Sequence, residues 1–176
     1  METLRENDRV SVVLGQPMAR VIWIGHRHVD CAHHVSPMAV WPVRIRAGAF
    51  GQGRPHRDLW LSPDHAVFVD GVLIPVKYLI NQTTIARVRV ASIRYFHIEL
   101  AHHNVLLAEG LPVESYLDIG DRANFSDAEG ATRLFPDFAA RTWEAFGCAP
   151  LVASGARLAS IRARLDAIAA HGAVAA

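Results

Sequence analysis

The sequence predicts a mainly β fold, with a compact all-β body over residues 1–125 and a helical C-terminal extension over residues 126–176. Three observations lead there. From residue 10 to about residue 111, short runs rich in β-branched residues alternate with Gly, Pro and charged punctuation. An Asp-Gly pair stands between two apolar runs, the strongest short-range hairpin signal. Past Asp118 the pattern changes, and apolar residues then recur at intervals of three and four on an Ala-rich stretch.

Taken in chain order, Val10–Leu14, Val21–Ile24 and Val43–Ile45 read as strands, because β-branched side chains suit a pleated, half-buried surface. Pro63 stops the strand before it. Ala66–Val69 and Val72–Pro75 flank Asp70-Gly71, and both turn residues tolerate the positive φ of a type I′ turn. Ile85–Val90, Ile93–Leu100 and Val105–Leu107 continue the series, the last two joined by the polar turn Ala101-His102-His103-Asn104. The β character ends near Tyr116. Asp, Gly, Asn and Ser punctuate residues 118–130, which read as a linker. Leu158, Ile161, Leu165 and Ile168 then form the stripe of an amphipathic helix, with Arg157, Arg162 and Arg164 off it. That stripe reads as a docking face against the β body or a neighbouring module.

Composition narrows the function. Hydrophobic residues make up 51% and charged residues 20% of 176 residues, a globular balance rather than a disordered one. The formal net charge is +1, which leaves no electrostatic footprint for nucleic acid or an anionic membrane. Residues 1–9 have no apolar core of a signal peptide, and no segment reaches membrane-spanning length. Cys31 and Cys148 are too few for a disulfide framework, so the compartment stays open. No cofactor motif is found.

Two segments hold candidate chemistry. In LSPDHAVFVDG, residues 61–71, His65 follows Ser62-Pro63-Asp64 at the mouth of a strand. A histidine there can protonate a leaving amide nitrogen, although taken alone it reads as an ordinary strand-edge residue. In YFHIELAHHNVLLAEGLP, residues 95–112, alternation sets Tyr95, His97 and Glu99 on one face and Phe96, Ile98 and Leu100 on the other, so His97 reads as part of a solvated face. A third cluster, His26, His28, Cys31, His33 and His34 in GHRHVDCAHH, has zinc-ligand chemistry. It reads as an exposed loop whose polar side chains need no ion, and no metal site is expected.

LSPDHAVFVDGVLIPVKYLIN and YFHIELAHHNVLLAEGLPVESYLD resemble the two histidine-bearing blocks of Hint domains, the self-processing modules of Hedgehog proteins and inteins, and specifically a bacterial Hedgehog/intein-like subfamily. METLRENDRV, VIWIGHRHVD and PVRIRAGAFG resemble its early strands, in the same order, so the likeness spans about residues 2–125. It implies a horseshoe-like β path and an N-to-S or N-to-O acyl shift at the domain's own N-terminus. By the same likeness, Ser62 stands at the Thr position of a Thr-x-x-His motif and His65 protonates the departing amide nitrogen. His103 is the downstream histidine, and His97 falls where another acid/base group is often found. Asp8 organises an early turn.

Two departures qualify the resemblance. The family places its nucleophilic Cys or Ser on a strand upstream of METLRENDRV, so the likeness implies an N-terminally truncated or degenerate domain, a self-processing remnant rather than a turnover enzyme. Its expected partner is its own missing or fused N-terminal segment. Glu114 and Ser115 in VESY stand where a splicing intein would end in His-Asn, which speaks against splicing, and Asn104 reads as a turn residue. The expectations are that the chain does not cleave itself and that His65 and His103 approach one another with Ser62 nearby. The rival readings are a non-catalytic binding module on the same β scaffold and a metal-dependent enzyme using the loop histidines.

Overall fold

The computed structural model describes residues 3–118 and 145–174. Among the described residues, ten strands form three antiparallel sheets: β1 (Arg9–Ser11), β2 (Met18–Asp30), β3 (Val43–Ile45), β4 (Leu59–Leu61), β5 (Ala66–Val69), β6 (Val72–Pro75), β7 (Ile85–Arg87), β8 (Ser92–Leu100), β9 (Val105–Ala108) and β10 (Leu111–Glu114). Their orders are β1-β2-β8, β6-β5-β10-β9 and β4-β3-β7. The mainly β class read from the sequence is what the described residues adopt, with a long helix, Ala156–Val174, following the strands.

Turn chemistry sets the registers. Asp70 and Gly71 have φ of 51° and 78°, the left-handed pair of a type I′ turn, and Ala66 pairs with Pro75 across the hairpin. Glu109 and Gly110 repeat the device at 51° and 77° between β9 and β10. By sequence pattern the strand series stops at β9; Glu-Gly is a weaker turn signal than Asp-Gly, so the β9-β10 hairpin does not stand out, although Gly takes a positive φ in both.

Three expectations need correction. The segment VIWIGHRHVD is not a strand followed by a loop: β2 runs thirteen residues, and His26 and His28 pair with Phe96 and Arg94 of β8. Pairing with a nine-residue partner satisfies the backbone and overrides the polarity of the side chains. The first strand shortens to Arg9–Ser11, after which Val12 bridges Leu106, and the Asn104 side chain bonds both backbone groups of Leu14. The strand expected over Ile85–Val90 ends at Arg87: the Val88 N–H still donates to the Pro42 carbonyl, but Pro42 has no N–H to return the bond, and the ladder stops.

The core is one cluster that joins the sheets and the helix. Val21, Val43, Ile45, Val67, Ile74, Leu79, Ile85, Leu111 and Val113 are buried in it together with Leu158, Ile161 and Leu165 of the helix stripe. Each such side chain contributes about 1.5–3 kcal/mol of burial. The off-stripe arginines also dock: Arg157 donates to the Asp70 carbonyl and Arg164 to its carboxylate, so the helix grips the tip of the β5-β6 hairpin.

Candidate functional site

The Ser62–His65 turn is fixed by backbone on both sides. The His65 N–H donates to the Ser62 carbonyl at 3.1 Å, while Lys77 N–H donates to the Pro63 carbonyl and Val76 N–H to the His65 carbonyl. Lys77 also pairs with Asp64. The Glu114 backbone of β10 is the hydrogen-bonding group that favours the charged ring, and with Nε2 unpartnered among the described residues the Nδ1–H tautomer is the one that suits a carbonyl acceptor. The Nε2 atom is buried and has no partner among the described residues. Burial above all, with the neighbouring charges of His97 and His103, pushes the His65 pKa down to about 3, so the imidazole is neutral.

His97 lies across from Gly25 in the β2-β8 register. Its ring stands 6.2 Å from that of His65 and 5.7 Å, edge-on, from that of Tyr116, which in turn packs 5.2 Å from Trp23. The absence of a side chain at Gly25 makes room for Trp23, since a Cβ there would lie 2.0 Å from the indole. The face carrying His97 is therefore not solvated, contrary to the alternation argument. The chain leaving β10 crosses it, with Tyr116 N–H on the Ile98 carbonyl, and Glu99 is only 9% exposed. Burial, then the charge of Arg27, lowers the His97 pKa to about 4.

His103, in the polar turn before β9, has a buried side chain with no exposed surface. Its Nε2 donates to the Ser115 carbonyl at 3.1 Å, and its Nδ1 accepts the Cys148 N–H at 3.0 Å. Burial lowers its pKa to about 4. The segment that brings Cys148 in is anchored by Leu73, whose N–H and carbonyl bond Pro150 and Val152. The Cys148 thiol is pushed up to about 11, by burial first and by the Glu114 charge last.

Glu114 joins these groups. Val113 of β10 pairs with Val67 of β5, which sets Glu114 beside Ala66. Its Oε1 accepts the Ala66 N–H at 2.6 Å, and its Oε2 lies 3.8 Å from His103 Nε2. Burial raises its pKa to about 8, with Asp64 adding to the shift. The structure thus brings His65, His97 and His103 into one buried cluster with Glu114 between two of them, and holds Ser62 to it through its carbonyl. From sequence, Glu114 is named only for its place at a splice junction, and Tyr116 and Cys148 are given no part in the site. A Glu109-Gly110 hairpin would have revealed the first two, while nothing in the sequence points Cys148 at a histidine 45 residues before it.

The loop histidines make a different set. His33 pairs with Asp30 at 2.8 Å on the surface, and His34 Nδ1 accepts the Ser36 N–H. Among the described residues, no group of three or more His, Cys, Asp or Glu side chains is placed to hold a metal ion.

A family model described as Hint domain matches residues 1–120 of the chain. Neither the curated proteins nor the solved structures yield a match to it.

Proposed function

The chain belongs to the Hint domain family, and on that premise we propose that its buried histidine cluster is the acid/base pocket of an N-to-S or N-to-O acyl shift. The same proposal places it in the bacterial Hedgehog/intein-like subfamily. The nucleophile is a Cys or Ser on a strand upstream of the turn that Asp8 closes on Arg5. It attacks the carbonyl of the residue before it, so that a C–S or C–O bond forms as the amide C–N bond breaks.

The observation that carries this reading is His65 Nε2, a buried lone pair with no partner among the described residues. A neutral imidazole with a bare nitrogen can take the proton of the attacking thiol or hydroxyl and hand it to the departing nitrogen, which balances the shift with no external proton. Ser62, at the motif's Thr position, holds the His65 backbone through its carbonyl. His97 walls the ring from one side and disfavours its charged form. His103, with both ring nitrogens on backbone groups, positions the Ser115 and Cys148 peptides. Asn104 is committed to Leu14, which supports reading it as a structural residue and not as a cyclising one.

The test is a fusion in which a reporter is followed by a β-prone segment beginning with Cys and then by this chain. Thiol is expected to release the reporter, with no ligated product. The 176-residue chain by itself is expected to keep its intact mass in dithiothreitol or hydroxylamine, because neither Cys31 nor Cys148 begins the fold. A fusion that thiol does not cleave, or a ligated species, contradicts the proposal. A second reading, a non-catalytic docking module, draws on a groove of about 730 Å³ beside the exposed Trp60 and Leu107. An uncleaved fusion would favour it.

A further inference from the structure

We propose that the main-chain N–H of Cys148 is a positioning group for His65: by occupying His103 Nδ1 it fixes that ring's tautomer and, through the Ser115 peptide, the end of β10 on which His65 rests. The C-terminal segment is thereby a working part of the site, although it lies outside residues 1–120, the span that the family model matches. Its effect on the reaction rests on the acyl-shift reading. Its effect on the two rings does not.

The His103 ring meets groups of opposite kind on its two nitrogens. The Ser115 carbonyl, 3.1 Å from Nε2, can only accept, and the Cys148 N–H, 3.0 Å from Nδ1, can only donate. Together they admit one form, a neutral ring with its proton on Nε2. The other neutral tautomer would set two donors face to face at Nδ1 and two acceptors face to face at Nε2, and an imidazolium would lose the Cys148 bond. For a side chain with no exposed surface, either loss leaves a buried polar group unsatisfied.

Cys148 is the fixed end of this contact. Leu73 of β6, itself fully buried, donates to the Pro150 carbonyl at 2.9 Å and accepts the Val152 N–H at 2.8 Å, in a parallel bridge to Leu151. The helix begins at Ala156, with Leu158, Ile161 and Leu165 in the core. The scaffold, and not His103, therefore places the Cys148 peptide. On the other side of the ring, the Ser115 N–H donates to the Asn104 carbonyl at 2.7 Å, and its hydroxyl accepts the Asn104 N–H at 2.9 Å. These bonds join the 103–104 turn to residues 114–115, so that a displaced His103 carries with it the Glu114 backbone that bonds the His65 ring. The Cys148 thiol has no part in this.

Nitrogen-15 NMR of the 176-residue chain tests the assignment. The wild type should show a scalar coupling across the hydrogen bond between the Cys148 nitrogen and His103 Nδ1, with His103 protonated on Nε2 alone. Cys148→Ala, the conservative variant, keeps the N–H and should keep both signatures. Cys148→Pro removes the N–H: the coupling should vanish, His103 should become a mixture of tautomers, and the His65 ring signals should shift. An ester in place of the Gly147–Cys148 amide removes the same N–H without a proline ring, and should give the same changes even where the proline chain does not fold. In the Cys-strand fusion, Cys148→Pro should slow thiol-dependent release by about 10–10²-fold, the scale on which outer hydrogen-bond partners of a site act, and Cys148→Ala should restore it. A wild type without the coupling, a His103 tautomer that survives loss of the N–H, or a His65 ring that does not respond overturns the assignment. A wild-type fusion that keeps its reporter in thiol overturns the acyl-shift reading instead, and the link between the two rings is then decided by the spectra.

Discussion

The chain has two groups of histidines, and they differ in a way that residue type does not reveal. His26, His28, His33 and His34 crowd into nine residues and look like a ligand set, yet β2 spreads the first two along a strand and the others lie in the turn after it. His65, His97 and His103 are separated by whole strands, yet they meet, because β8 and β10 pass the Ser62–His65 turn from two different sheets. The first group is solvated and makes local contacts such as His33 to Asp30, both well exposed. The second is out of water, and desolvation is the first cause of every lowered pKa in it. Closeness in sequence is therefore no guide to chemistry here. What matters is which strands cross above the histidine.

The largest effect should come from the histidine that carries the reading. His65→Ala in the Cys-strand fusion should slow thiol-dependent release by about 10²–10⁴-fold, whereas His28→Ala should leave it unchanged. Equal losses from the two variants would erase the distinction between the groups.

Next is the packing that covers the buried group. Gly25→Ala forces a Cβ into the Trp23 ring, which rests on Tyr116 and through it on His97. The expected loss is about 1–3 kcal/mol in urea unfolding, the range for overpacking a filled site. A variant as stable as the wild type would mean that Trp23 does not wall the pocket.

The pH dependence of stability separates the acid from the bases. Three histidines whose folded pKa values are about 3–4 bind protons more readily once unfolded, near 6.5. Their contribution is complete above 6.5 and is lost as pH falls toward 4. Glu114 works the other way: with a folded pKa of about 8 against 4.5, its contribution is present below 4.5 and is lost as pH rises to 8. Unfolding free energy should therefore peak near pH 6.5, and Glu114→Gln should remove the decline between 6.5 and 8. A decline that survives the substitution assigns it to another group.

The smallest effect is expected on the surface: His33→Ala removes an exposed pair with Asp30 and should leave the unfolding midpoint within error of the wild type.

How much of this was legible beforehand follows from the same contrast. Local chemistry was readable, so the Asp70-Gly71 hairpin, β3 and the helix stripe stand where propensity and period put them. The cluster was readable only by resemblance, since alternation along β8 says which residues share a face but not that Tyr116 covers it. Glu114 was passed over for what it replaced at a splice junction, and its importance comes from the register of β10 against β5, a non-local fact. The Cys148 contact joins two residues 45 apart in the chain, a non-local fact of the same kind.

The most direct measurement is nitrogen-15 NMR of the His65 ring in the 176-residue chain. A neutral ring with its proton on Nδ1 and a bare Nε2 is expected from pH 8 down to about 4. A His65 that carries its proton on Nε2, or becomes charged near pH 6, would contradict it.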